Sequence, residues 1–199
     1  MVKKIMEVNK DLHSYITTFD NILEQEALDC LIKICKKKEF EKATIYTGGE
    51  KKILNEKIRK TENISLSALQ SKSMTDVHWS NYLNKIFCIF IKDYIKLNNL
   101  KQNLRSIFDI QLLKYTLGGH YIFHTDDTLA MHRIYSCVFL INDDYEGGEL
   151  AFKYPKSDEI LKVEKKKNRL IIFPSNFLYP HTVLPVTKGE RYSVVAWAL

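Results

Sequence analysis

The chain has few of the residues that break or staple a polypeptide. Four prolines, seven glycines and four cysteines among 199 residues exclude a proline-rich linker, a collagenous repeat and a low-complexity tail. Cys30, Cys35, Cys88 and Cys137 form no Cys-x-x-Cys pair, and each lies in an apolar segment. That pattern argues against a zinc ribbon or a disulfide frame, and for buried free thiols in a reducing compartment. Long apolar runs are also missing: the longest, near residues 86–95, is interrupted by Lys92 and Asp93, so it cannot span a bilayer. The first seven residues are too polar for a secretory signal. A cytoplasmic protein with no membrane partner is expected.

Acidic residues are outnumbered, leaving a formal net charge of +6 and a pI near 9.0. Such an excess raises nucleic acid as a partner, yet the lysines are scattered. Lys36-Lys37-Lys38 suits the negative end of a helix dipole, and Lys165-Lys166-Lys167 suits a solvated hairpin tip. No aromatic-plus-basic platform for stacking bases is visible, so nucleic acid is disfavoured. A hydrophobic fraction of 45% beside 27% charged residues is an ordinary globular balance. One domain over 1–199 is expected, with a helix-rich support region at 1–105 and a β-rich core at 106–199.

Periodicity supplies the elements. Residues 14–19 predict a short strand, with Asp20 and Asn21 as turn or N-cap residues. Leu23, Ala27, Leu28, Leu31, Ile32 and Cys35 recur at helical spacing. A second helix over 76–97 carries a wide stripe that includes Trp79, Leu83, Phe87, Ile91 and Tyr94. Between the two, Gly48-Gly49 and the polar run that follows predict a loop over 46–60, a candidate lid. A strand follows over 59–66. Eight β-like runs then occupy 106–116, 121–125, 134–141, 149–154, 160–163, 170–173, 182–186 and 192–199. Short strands punctuated by Gly, Asn, Asp and Pro imply a sandwich or barrel, so the fold class is mostly β with bracing α-helices, α+β.

Chemistry concentrates in two stretches. In one strand, side chains at i and i+2 share a face, so His124 and Asp126 converge on one point. A His-x-Asp tripeptide alone is a weak signal. It gains weight because His181 follows on another β-like segment and because Arg191 stands ten positions further on. Two His and one carboxylate form the facial triad of non-heme Fe(II) oxygenases, and Arg is the side chain best shaped to clasp a carboxylate. Asp127 should face the other way. His120 and His132 lack the triad's spacing, Arg133 reads as a structural ion-pair partner, Trp197 as core, and Gly147-Gly148 as a turn with positive φ.

Tyr115-x-x-Gly118-x-x-Tyr121-x-x-His124-x-Asp126, Gly147-Gly148-Glu149-Leu150, Arg169 through Phe173, Pro180-His181 and Arg191-x-Ser193 follow one another within 107–199. In that order they resemble the 2-oxoglutarate/Fe(II)-dependent dioxygenases of the prolyl 4-hydroxylase-like group. Phe19-Asp20-Asn21-Ile22-Leu23 and Arg59-Lys60-Thr61 add a fainter likeness. The resemblance implies a double-stranded β-helix (jelly roll, cupin-like) with Fe(II) on His124, Asp126 and His181. It also implies 2-oxoglutarate and O2 as co-substrates, ascorbate as an accessory reductant, and Arg191, Ser193 and Tyr115 around the distal carboxylate of 2-oxoglutarate. The implied reaction hydroxylates an unactivated C–H, most naturally of a peptidyl proline or another protein side chain, with succinate and CO2 as co-products. Asp126 points to hydroxylation and away from halogenation. Phe139-Leu140 stands where related enzymes often carry a Tyr. The alternatives are the same chemistry on a small molecule such as a free amino acid, oxidative modification of a nucleic acid, or a non-enzymatic metal-binding jelly roll. A monomer or homodimer is expected.

Overall fold

Leu170 to Phe173 and Tyr135 to Leu140 are buried at every position, the mark of strands covered on both faces. In the computed structural model, which describes residues 12–46, 52–66, 73–128, 132–153 and 158–199, these strands lie at the centre. A 3-10 turn (Leu12–Tyr15) leads into β1 (Thr17–Asp20), α1 (Gln25–Lys37), β2 (Glu41–Lys42), β3 (Ile45–Tyr46), β4 (Lys52–Ile53), β5 (Arg59–Lys60), β6 (Glu62–Ser65) and α2 (Met74–Leu97). There follow β7 (Ile107–Tyr115), β8 (His120–His124), β9 (Tyr135–Leu140), β10 (Glu146–Gly147), β11 (Leu150–Lys153) and β12 (Ile160–Lys162). The chain ends in β13 (Arg169–Pro174), β14 (His181–Val183), β15 (Val186–Lys188) and β16 (Arg191–Ala198).

Seven strands form the larger sheet in the order β1-β13-β9-β16-β7-β6-β2, and five form the smaller, β12-β11-β14-β8-β5. From β7 onward the chain passes back and forth between these two sheets, with β11 and β12 as one hairpin in the smaller and β10 and β15 paired as a separate two-stranded ribbon. This is the double-stranded β-helix. β1, β2, β5 and β6 from the first half extend both sheets.

The larger sheet sorts its side chains by alternation. Cys137, Phe139, Leu170, Ile172, Val194 and Ala196 face α1 and α2, where they meet Leu28, Leu31, Leu83, Phe87, Ile91 and Tyr94. The α2 stripe recurs every three or four residues, which is why it forms a helix with one buried side. Phe87 meets Phe139 edge-on at 6.4 Å and Tyr94 meets Tyr135 at 5.3 Å. Val138, Leu140, Ile171 and Phe173 point the other way, to Leu150, Phe152 and Val163 of the smaller sheet.

The structure decides between turn and cap at Asp20 and Asn21, and differs from the sequence reading in cysteine burial and in the loop over 46–60. Asn21 adopts a left-handed φ of 56° and turns the chain, while Asp20 ends β1 and binds Arg169, so neither caps α1. Asn168 serves that corner instead: its side-chain oxygen accepts from Leu23 N at 3.0 Å and its amide donates to Leu23 O at 2.8 Å. Cys30 is exposed, Cys88 is half-buried, and only Cys35 and Cys137 are buried; burial pushes the Cys35 thiol up to about 12. The proposed loop over 46–60 contains the end of β3 and the whole of β4 and β5, and its Gly48-Gly49 lies outside the described residues. Among the described residues no helix is long and apolar enough to cross a membrane.

Candidate active site

β8 pairs with β14 through a shift in register: His124 lies opposite His181, but Tyr121 lies opposite Val183. One strand therefore holds an extra residue, a β-bulge, and bulges re-aim side chains. Ile122 and Phe123 are both exposed, while Tyr121 and His124, three residues apart, both line the interior cavity. Asp126 lies just past the end of β8. The result brings one ligand atom each from His124, Asp126 and His181 within 4.8 Å of one another.

Their hydrogen bonds define the site's chemistry. His124 Nδ1 donates to Ile122 O at 2.9 Å, and His181 Nδ1 donates to Tyr179 O at 3.1 Å. Both Nε2 lone pairs are therefore left for the common point, lying 3.6 and 3.5 Å from the Asp126 carboxylate. Ser136 donates to Asp126 Oδ2 at 2.6 Å and meets Ser175 Oγ at 2.8 Å. Burial disfavours ionised Asp126, but His181, His124 and Ser136 together outweigh it and hold the carboxyl well below its usual range. Burial lowers His181 to about 4, which keeps it neutral as a ligand must be. Two imidazoles and a carboxylate on one side fit a divalent iron with its remaining positions open.

Beside the triad, β16 turns Arg191, Ser193, Val195 and Trp197 into a cavity of about 610 Å³. Arg191 is only 1% exposed. Its Nη1 donates to Ser193 Oγ at 2.7 Å, and its Cζ lies 4.9 Å from the Tyr115 ring centre. Nε and Nη2 meet no acceptor in full hydrogen-bonding geometry, and the Tyr145 phenol is the side chain that stands near them. A buried guanidinium with idle donors calls for an anion, and a dicarboxylate such as 2-oxoglutarate fits. Gly148 makes room for it: φ is +66°, and a Cβ there would stand 3.1 Å from Arg191 Cδ.

The remaining residues sort as follows. His120 is held by Gly118 O and Lys57 O, and His132 is exposed beside Asp127. Asp127 accepts from Arg133 N at 3.1 Å. Arg133 does more than the ion-pair reading implies: it lines the cavity, with its Cζ 3.8 Å from the ring centre of Trp197, which lines it too. Asp109, Gln111 and Ser136 escaped the sequence reading, and Arg59, which also lines the cavity, figured in it only through the faint likeness of Arg59-Lys60-Thr61. Asp109 enters the cavity because β7 bulges there, with φ +53° and the register against β16 shifted. No local motif marks such a bulge. A polar residue among apolar ones was the only signal for Ser136.

Residues 110–199 match the model of the 2OG-Fe(II) oxygenase superfamily, whose members use Fe(II), 2-oxoglutarate and O2. Over that stretch, the second half of the chain, the sequence is similar to the 2-oxoglutarate/Fe(II)-dependent oxygenases. A PKHD-type hydroxylase of Gloeothece citriformis is 24% identical over 188 residues, covering 92% of this chain and 77% of that protein. One from Parvibaculum lavamentivorans is 34% identical over 97 residues, 47% of this chain and 42% of its own. The chain thus spans less than half the length of some curated relatives it matches. Among solved structures, a Trichoplax adhaerens prolyl hydroxylase bound to a hypoxia inducible factor peptide superposes with a TM-score of 0.72 at 17% identity, covering 92% and 83% of the two chains. A Pseudomonas putida prolyl-4-hydroxylase gives 0.67 at 21%, covering 92% and 91%. Likeness at that identity is a likeness of fold.

Proposed function

We propose that the chain is a dioxygenase that couples decarboxylation of 2-oxoglutarate to hydroxylation of an unactivated C–H, with a peptidyl proline or another protein side chain as substrate. The observation that carries this reading is the buried Arg191, with two idle nitrogens, set beside a His-Asp-His cluster. A simple metal clip would have no use for a carboxylate receptor.

In this reading His124, Asp126 and His181 hold the iron, and residues 1–105 support a catalytic core at 106–199 within one domain. When bound, iron and 2-oxoglutarate supply the oxidising chemistry, with succinate and CO2 as co-products. The protein's own residues bind, orient and exclude. Arg191 takes the distal carboxylate, and Ser193, whose oxygen already accepts from Arg191, keeps its hydroxyl proton for the same group. Tyr115 walls that end. Val138, Leu150, Val183 and Val195, all lining the cavity, keep water from the reacting centre. The relatives' printed names support a peptide substrate: that of the Trichoplax structure includes a peptide fragment.

Fe(II)-dependent release of succinate from 2-oxoglutarate, stimulated by at least one member of a panel of proline-containing peptides, tests it. Succinate release with no stimulation by any such peptide would retain the chemistry and end the peptidyl-proline assignment.

A further inference from the structure

Arg59 stands outside the set that holds metal and co-substrate, yet the fold brings it to the same cavity. β5 is the edge of the smaller sheet, and its register sets Arg59 opposite Tyr121, in the cross-strand row that continues through Val183 to Leu150. Directly opposed residues of antiparallel strands share a face, and all four line the cavity. The Arg59 guanidinium lies over the Tyr121 ring at 4.9 Å and makes one long hydrogen bond, from Nη1 to Thr44 O at 3.4 Å. Its Nε is buried and meets no acceptor. Among the described residues no acidic side chain forms an ion pair with it.

The other charges in the cavity have counterparts. With iron and 2-oxoglutarate bound, the metal and Arg191 balance Asp126 and the dicarboxylate. Asp109 accepts from Gln111 at 2.7 Å; burial lowers Arg133, and the charges of Asp126 and Asp109 offset part of that, so they are its counterparts. Arg59 is the cation left over, its hydration partly lost and its donors idle. A guanidinium in that state is a receptor for a carboxylate.

We propose that Arg59 receives a carboxylate of the substrate, so that the molecule oxidised here is acidic close to the reacting carbon, an assignment that rests on the oxygenase reading. The carboxylate can belong to an Asp or Glu flanking the target in a peptide, or to a free amino acid. The two sources share one chemistry and separate by experiment.

Under anaerobic conditions the Fe(II)- and 2-oxoglutarate-loaded protein is titrated with labelled decapeptides carrying one central proline flanked by Asp, Asn or Lys. In a parallel calorimetric arm it is titrated with free proline and prolinamide. In one arm the acid binds at least about tenfold more tightly than its amide. Arg59→Gln abolishes that preference, Arg59→Glu turns it toward the Lys peptide or the amide, and Arg59→Lys retains it in part. Wild-type midpoints of thermal unfolding certify that the variants fold. Equal binding of acid and amide in both arms, or an acid preference that survives Arg59→Glu, overturns the assignment. A wild-type protein that forms no charge-transfer band with Fe(II) and 2-oxoglutarate fails earlier, and takes the oxygenase reading down together with Arg59. A band without any acid preference removes Arg59 alone.

Discussion

Asp126 is held by partners that are not metal ligands, and their contribution is measurable. Ser136 donates to Oδ2 at 2.6 Å and is itself bonded to Ser175, so it fixes the rotamer that sets Oδ1 beside His124 and Oδ2 beside His181. Support of this kind is typically worth about 10- to 100-fold in metal affinity. Ser136→Ala should weaken Fe(II) or Co(II) binding by that factor in competition with a chromogenic chelator; unchanged affinity would remove Ser136 from the site. In the proposed function Arg191 receives the co-substrate. Losing a charged, doubly bonded carboxylate receptor costs about 3 kcal/mol, roughly 100-fold. Arg191→Ala should therefore raise the dissociation constant for 2-oxoglutarate by about that much while leaving metal affinity near wild type.

At the scale of elements, β1 is bound to β13 by more than its ladder. Arg169 grips Asp20 with Nε at 2.6 Å and Nη2 at 3.0 Å, and Lys166 adds a contact at 2.8 Å. The Arg169 hydrogen bond, then that of Lys166, hold Asp20 well below its ordinary 3.8. A folded-state pKa below the unfolded one means that the ionised carboxylate stabilises the fold in full above about pH 4, and that this stabilisation shrinks below pH 4 and is lost only as the pH falls through the much lower folded-state value. Asp20→Ala should cost about 1 kcal/mol in urea unfolding at pH 7 and clearly less near pH 2. An equal cost at both pH values would contradict the pairing. Phe87→Ala, which empties a fully buried site between α2 and β9, should cost about 3–5 kcal/mol. The sequence made both helices and the eight later β-runs legible because two-sided burial and helical stripes leave unmistakable periods. The bulges in β7 and β8 were not legible. They follow from pairing register, which no local stretch encodes, and they decide that Tyr121 and Asp109 face the cavity. Cys30 sits among apolar neighbours in α1, but the helix turns it outward, which a linear window does not reveal.

For the whole molecule, the lesson is that the two halves of the chain share one cavity. Triad and arginine receptor come from β8, β14, β16 and Asp126, two residues beyond β8, and were readable as spaced motifs. Thr44, Ile45, Arg59, Asn63 and Ser65 line the same space from the first half, where the sequence offered only faint resemblance. The positive charge of the chain is spread in the same way: Lys166 pairs with Asp20 and Lys38 with Asp76, 2.5 Å apart, so these cationic runs tie elements together. The central claim is that one cavity holds a His-Asp-His iron and a 2-oxo acid side by side. Anaerobic addition of Fe(II) and then 2-oxoglutarate to metal-free protein tests it without any substrate. The account predicts a visible metal-to-ligand charge-transfer band that is absent in Asp126→Ala and needs far more 2-oxoglutarate in Arg191→Ala. No band in the wild type, with zinc held tightly in its place, would contradict it.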